Sequence, residues 1–387
     1  MKTQDFSTIG NISASPAQNK PEDEAKDFLP LFGTDYIELY VGNARQAAHY
    51  YKAAFGFQDL AYAGIETGLK DRCSYVLEQG KIKLVLTAPL KQDGEIAEHL
   101  RKHGDGVKVI ALRVEDAYTA FEETVKRGAV PCLLPETITD IHGKVRRSGI
   151  HTYGDTIHLF IDRSFYHGAF LPGYERYQSD YHPYPTGLRY IDHVEGNVEA
   201  GAMNRWATFY EKTLGFSAHP GLDGSEEFSK RDAIVSTVVS NDTGIIKFPL
   251  NEPSKGKSKS QVEEYLDFYG GAGCQHVALS TDDIIYTVSE MKRRGVEFIK
   301  VPDGYYDKIS ERIGDIKEDT EELKKLGIML DRDKDGYLLQ IFTKPVEDRP
   351  TLFFEVIQRK GARSFGRGNF QALLKSIKIE QARRGSL

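Results

Sequence analysis

The chain repeats itself, and the repeat limits what it can fold into. Tyr36-Ile37-Glu38-Leu39 is followed by Gly42-Asn43 and a helix-compatible run ending Phe55-Gly56-Phe57. The same pattern returns as Tyr190-Ile191-Asp192-His193, then Gly196-Asn197 and a run ending Leu214-Gly215-Phe216. A second pair matches Val109-Ile110-Ala111-Leu112 to His276-Val277-Ala278-Leu279, each followed by an acidic pair and a helical stretch closing on Arg-Gly. A repeated order of elements has to bury the same faces twice, so the same unit is expected to be built twice. In this match Leu39 stands against His193 and Val109 against His276. At these matched positions imidazoles occupy one copy only, which suggests a structural role for the first copy and a metal site in the second.

A length of 387 residues accommodates two cores of ordinary size. Hydrophobic content of 40% with 28% charged residues is soluble-globular composition. A net charge of -6 gives no reason to expect nucleic acid or an anionic membrane as partner. Three widely spaced cysteines form neither a disulfide framework nor a zinc motif, which favours a reducing cytoplasm. Residues 1–25 are polar and lack an apolar signal core, and read as a flexible leader. The domains expected are 26–170, structural, and 188–387, catalytic, with an irregular Tyr- and Pro-rich connector over 165–187.

Each copy reads as two modules that open on a strand, continue with a helix and close on further strands. In the first copy strands are expected at 36–41, 74–77, 82–87, 107–114 and 156–161, with helices at 46–54 and 117–127. In the second they fall at 190–194, 234–239, 244–249, 275–279, 337–342 and 352–357. Met203, Trp206, Tyr210 and Leu214 mark one helical face there, and 284–294 gives another helix. Phe370, Leu373, Leu374 and Ile377 recur at i, i+3, i+4 and i+7, so the described pattern ends in a helix.

His193 and His276 lie inside the opening strands of their modules, and Glu355 lies inside the apolar run Phe353-Phe354-Glu355-Val356-Ile357. Burying a carboxylate there costs several kcal/mol unless a divalent metal or a basic partner compensates it. Two imidazoles and one carboxylate form the facial set of non-haem Fe(II) oxygenases, which leaves positions open for substrate and dioxygen. Asp331 to Gly336 resembles the start of a calcium loop, but its twelfth position is Phe342 instead of Glu, so it reads as an acidic turn. His142, His151 and His158 lack a carboxylate partner and read as solvated or structural. Ser236, Asn251, Gln261, Gln275 and Gln340 are neutral polar groups on or beside predicted strands of the second copy. With Phe342, Phe353, Phe365 and Phe370 they suit a cavity for an aromatic ligand with a polar end.

Several motifs occur in one order. They are Asp192-His193-Val194-Glu195-Gly196-Asn197, Leu250-Asn251-Glu252-Pro253, Lys259-Ser260-Gln261 and Gly271-Ala272-Gly273-Cys274-Gln275-His276. Leu339-Gln340-Ile341-Phe342-Thr343-Lys344-Pro345, Arg349-Pro350-Thr351, Phe354-Glu355 and Phe365-Gly366-Arg367-Gly368-Asn369-Phe370 follow. In this the chain resembles the 4-hydroxyphenylpyruvate dioxygenase family of the vicinal oxygen chelate superfamily, from about Phe32 to the C-terminus.

The resemblance implies an α+β fold of two tandem vicinal-oxygen-chelate domains built from βαβββ repeats. The second would form an open, barrel-like metal site closed by a C-terminal helix acting as a lid. It implies Fe(II) held by His193, His276 and Glu355, and 4-hydroxyphenylpyruvate with O2 as substrates. The products would be homogentisate and CO2, a step of tyrosine and phenylalanine catabolism. Gln275 and Gln340 would lie near the 2-oxo acid end of the substrate and Ser236, Asn251 and Gln261 toward the phenol. Phe342, Phe353, Phe365, Phe370, Pro249 and Leu373 would contact the substrate, and Asn369 would help hold the helix over the pocket. Leu250 departs conservatively from the aliphatic residue expected there, which touches only pocket shape. A homodimer or homotetramer is implied. A hydroxymandelate synthase, oxidising the benzylic carbon of the same substrate, is the nearest alternative, and Phe342 favours ring attack over it. A non-catalytic sequestering protein on the same scaffold is the third reading.

Overall fold

The computed structural model describes residues 27–220, 234–254, 259–302, 304–307 and 309–386, so the leader expected at 1–25 lies outside the described residues. The first half contributes β1 Leu31–Tyr40, β2 Gln58–Ala63, β3 Arg72–Gln79, β4 Ile82–Pro89, β5 Gly106–Val114, β6 Pro131–Asp140, β7 Gly143–His151, β8 Ile157–Tyr166 and β9 Glu175–Arg176. The second contributes β10 Leu188–Asn197, β11 Ser217–Pro220, β12 Ile234–Ser240, β13 Lys247–Pro253, β14 Gly273–Thr281, β15 Met329–Asp333, β16 Gly336–Phe342 and β17 Phe353–Lys360.

Each half is one mixed sheet made of two βαβββ modules. The first runs β6-β7-β8-β5-β1-β4-β3-β2-β9 and the second β11-β12-β13-β10-β14-β17-β16-β15. In both, the opening strands of the two modules pair antiparallel, β1 with β5 and β10 with β14. Each opening strand also pairs parallel with the last strand of its own module, which brings distant stretches of chain side by side. The helices follow the repeat. Asn43 caps Ala44–Phe55, whose chain turns out through Gly56 at φ 78°, and Gly215 at φ 71° ends Met203–Leu214 in the same left-handed conformation. The second residue of each acidic pair is an N-cap: Asp116 accepts from the Tyr118 amide and Asp283 from that of Tyr286.

The ladders correct one part of the sequence match. Tyr36 faces Ala111 as His193 faces Ala278, and Leu39 faces Val107 as Gly196 faces Cys274. The counterpart of His193 is therefore Tyr36, not Leu39, while Val109 remains the counterpart of His276. The cause is the Gly-Asn pair. In the first copy it lies past the strand, directly before the helix; in the second it ends the strand, and 198–202 intervene before the helix.

Some elements were not legible beforehand. In the β6–β7 hairpin the outer strand β6 has no buried residue, so it lacks the apolar alternation that marks a half-buried strand. β2, β15 and the helix Gln261–Tyr269 also went unread. The strand expected from 244 begins at Lys247, because Asn241 draws 241–246 into a turn through the Gly244 and Ile246 amides. The connector over 165–187 is not wholly irregular: β8 runs to Tyr166 and β9 pairs with β2, carrying the first sheet beyond residue 170. Of the acidic turn expected over 331–336, only Lys334 and Asp335 form the turn; Asp331 to Asp333 end β15 and Gly336 opens β16.

The halves share one apolar core. The rings of Tyr51 and Phe55 meet that of Phe354 edge-on at 5.7 and 5.1 Å. Across the same seam the Tyr210 hydroxyl meets Thr152 Oγ1 and His158 Nε2, each at 2.8 Å, so His158 is structural; His142 and His151 are exposed.

Candidate metal centre

The centre is assembled by three neighbouring strands. Ala278 on β14 pairs with His193 of β10 on one side and with Glu355 of β17 on the other. Its methyl group cannot separate the two, and Nε2 of His193 lies 3.1 Å from Oε2 of Glu355. His276 precedes Ala278 by one turn of the pleat and places its Nε2 3.4 Å from the same oxygen. One ligand atom from each of the three falls within 4.8 Å of the others, and all three residues are buried. Both ring nitrogens of His276 are buried without a hydrogen-bond partner. Two imidazole nitrogens converging on a carboxylate fit a divalent transition metal, and such a metal would satisfy the orphaned Nε2 of His276, while its Nδ1 lies 3.6 Å from Oε1 of Glu195.

The electrostatics keep the central carboxylate ionised. Burial pushes the Glu355 carboxyl up, but the imidazoles of His193 and His276 outweigh it and hold the group at about 2. Burial lowers the His193 imidazole, yet Glu355 and Asp192 together raise it to about 9.

A carboxylate behind His193 orients it. Nδ1 of His193 meets Oδ1 of Asp192 at 2.8 Å, leaving Nε2 for the metal. Asp192 is the extra residue of a β-bulge, between Ile191 opposite Leu279 and His193 opposite Ala278. Arg359 grips its carboxylate with Nε at 2.8 Å and Nη2 at 2.9 Å, and Lys247 Nζ lies 3.6 Å away. Burial works against this carboxylate, but His193 and Arg359 hold it well below the usual range. Sequence reasoning missed Asp192, Arg359 and Lys247. The first half contains the signal: Asp35 is bulged at the same place and is gripped by Arg163. The bulge and its arginine belong to the scaffold, and the second half adds a histidine to them.

A cavity of about 400 Å³ opens on the triad. Pro249, Gln261, Gln275, Gln340, Phe342, Phe365, Phe370 and Leu373 border it, as does Glu195, which sequence reasoning did not single out. Phe353 stacks on His276 at 4.8 Å, Phe342 meets the same ring edge-on at 5.9 Å, and Phe365 meets His193 edge-on at 5.0 Å. Gln340 donates Nε2 to Oε1 of Glu355 at 3.0 Å. Ser236, Asn251 and Phe353 do not border this cavity, and neither does Asn369. It donates to Oε1 of Gln340 at 2.8 Å and accepts from the Tyr305 hydroxyl, so it ties the helix Arg367–Arg384 to the metal ligand through Gln340. Ser236 and Asn251 face each other across β12 and β13, and Ser236 Oγ, Asn251 Oδ1 and Gln261 Oε1 are buried without partners. A second cavity, of about 490 Å³, shares Gln261 and Gln275 with the first and runs out past Ile377 and Arg384.

The same positions in the first half are filled. Ala111 pairs with Tyr36 and with Leu159, where Ala278 pairs with His193 and Glu355. Tyr36, Val109 and Leu159 pack in one apolar cluster with Phe170, whose ring meets Tyr36 at 5.2 Å much as Phe365 meets His193. Of the ligand triad's counterparts, only the Tyr36 hydroxyl is polar.

Paired βαβββ modules with a buried His-His-Glu set define a protein of the glyoxalase and dioxygenase superfamily. Residues 190–341 match the family model described as Glyoxalase/Bleomycin resistance protein/Dioxygenase superfamily. Residues 27–181 match that of hydroxyphenylpyruvate dioxygenase, N-terminal. Similar curated proteins include the 4-hydroxyphenylpyruvate dioxygenases of Aspergillus fumigatus, 43% identical over 97% of this chain and 98% of that protein, and of Dictyostelium discoideum, 45% identical over 92% and 100%. A similar solved structure is a triple mutant of 4-hydroxymandelate synthase from Streptomyces coelicolor, with a TM-score of 0.78 and 31% identity, covering 91% of this chain and 99% of that one. The chain belongs to the 4-hydroxyphenylpyruvate dioxygenase family.

Proposed function

We propose that the chain converts 4-hydroxyphenylpyruvate and O2 to homogentisate and CO2, with Fe(II) held by His193, His276 and Glu355. The observation that carries the reading is the convergence of three buried ligand residues on a cavity with aromatic walls and unpaired polar atoms. Fe(II), when bound, supplies the site for the 2-oxo acid and the electrons that activate dioxygen. The chain's own residues bind, orient and exclude water. Gln340 fixes Glu355, Asp192 fixes His193, and Gln275 reaches the cavity from beside His276. Phe342, Phe353 and Phe365 confine the ring, and Ser236, Asn251 and Gln261 offer polar atoms to a phenol. Phe370 and Leu373 bring the C-terminal helix onto the cavity, and Arg384 at its far end pairs with Glu264. A lid latched in this way would keep water from the oxidant.

Benzylic hydroxylation is the second reading, favoured by the structural likeness to a hydroxymandelate synthase. Phe342, edge-on to His276, narrows the cavity beside the metal and favours ring attack. The full chain, loaded anaerobically with Fe(II) and given substrate and oxygen, is expected to yield homogentisate. 4-Hydroxymandelate would move the protein to the second reading, and no oxygen uptake by loaded enzyme would overturn both. A homodimeric or homotetrameric assembly in the cytoplasm goes with this reading, and light scattering of the purified chain tests the assembly.

A further inference from the structure

A buried polar row crosses the interior of both halves. In the first, Glu38, Thr87 and Ser74 form it: Thr87 Oγ1 donates to Oε1 of Glu38 at 2.6 Å, and Ser74 Oγ lies 2.7 Å from Thr87 Oγ1. The same ladder places in the second half hold Glu195, Asn251 and Ser236, since Ser236 faces Asn251 as Ser74 faces Thr87, and Glu195 faces His276 as Glu38 faces Val109. The first row is closed. The second is open: Asn251 donates its Nδ2 to Oε1 of Glu195, while Asn251 Oδ1, Ser236 Oγ and Gln261 Oε1 are buried with no partner.

A carboxylate can only accept, so Glu195 claims the amide NH2 of Asn251 and leaves the carbonyl oxygen as the atom still to be satisfied. We propose that Glu195, which stands on the cavity wall, is a positioning residue that sets the hydrogen-bond polarity of the polar row behind it. It makes Asn251 an acceptor there, so that the site takes a ring bearing a hydroxyl donor and rejects the unsubstituted phenyl ring. A buried site built to pair a substrate hydroxyl rejects the analogue lacking it, because its own polar atoms are then left unpaired. This assignment rests on the substrate class proposed above and adds to it the residue that selects the phenol.

Anaerobic calorimetry of the Fe(II)-loaded full chain, with 4-hydroxyphenylpyruvate and with phenylpyruvate, tests it. Wild type is expected to prefer the hydroxylated acid by about a hundredfold. Glu195→Gln keeps the volume but lets the two amides pair in either sense, and should cut the preference by about tenfold or more at unchanged metal stoichiometry. The exchange Glu195→Gln with Asn251→Asp puts the carboxylate on the other side of the same hydrogen bond and should restore it. Equal affinities in wild type, an unaltered preference in Glu195→Gln, or an exchange that recovers nothing would overturn the proposal. Selective binding without oxygen uptake would sink the catalytic reading and leave this one standing.

Discussion

The two copies permit the same substitution to be made in matched settings, Arg359→Met beside the ligands and Arg163→Met where the ligands are absent. Each removes a guanidinium that grips a buried aspartate, with side chains 1% exposed at Asp192 and 4% at Asp35. Stranding a buried carboxylate costs roughly 3–5 kcal/mol. At Asp35 that range applies. At Asp192 the Lys247 ammonium at 3.6 Å and the His193 Nδ1 at 2.8 Å remain, so a loss nearer ~2–3 kcal/mol is expected. Metal binding separates the two. Asp192 loses its fixed position in Arg359→Met and no longer holds the His193 ring, and outer partners of this kind are worth about 10–100-fold in metal affinity. Asp35 touches no ligand, so Arg163→Met should change affinity by less than about twofold. Denaturant melts of the metal-free proteins give the stabilities, and anaerobic Fe(II) titration of folded protein gives the affinities. Equal metal affinity in the two variants would refute the orienting role of Asp192, whatever the stabilities.

The free His193 imidazole titrates at about 9, so metal must displace its proton. Apparent Fe(II) affinity should rise about tenfold per pH unit from roughly pH 6 and level off near 9, and a flat profile measured by chelator competition would contradict this. Burial lowers His158 from 6.5 to about 4, so the unfolded chain binds a proton that the folded one refuses. Its contribution is complete above pH 6.5, is lost as pH falls, and levels below about 4, a span of about 3 kcal/mol that denaturant melts of wild type and His158→Gln should separate. Glu264→Gln should free Arg384 and loosen the lid, raising oxygen consumed per product formed while costing only about 1 kcal/mol of stability. Unchanged coupling in an oxygen-electrode assay with product quantified would argue against the latch.

Much of the site was legible because its signals are local. His193, His276 and Glu355 could be read from a repeat and from a charge inside an apolar strand, and the caps Asn43, Asp116 and Asp283 lie one residue before the helices they start. The duplicated modules, the half that carries the candidate ligands, and the polar and aromatic residue types near them follow from the order of residues alone. It took the folded chain to show that His193 replaces Tyr36, that Arg359 holds Asp192 from 167 residues away, and that the Asn251 amide turns to Glu195. Register accounts for the difference. A strand's pattern says which residues share a face, but which residue stands opposite depends on bulges and on a partner strand far along the chain. The Gly-Asn pair looks the same in both copies and sits at different points of the ladder, so the counterpart of His193 could be named only after the strands had paired.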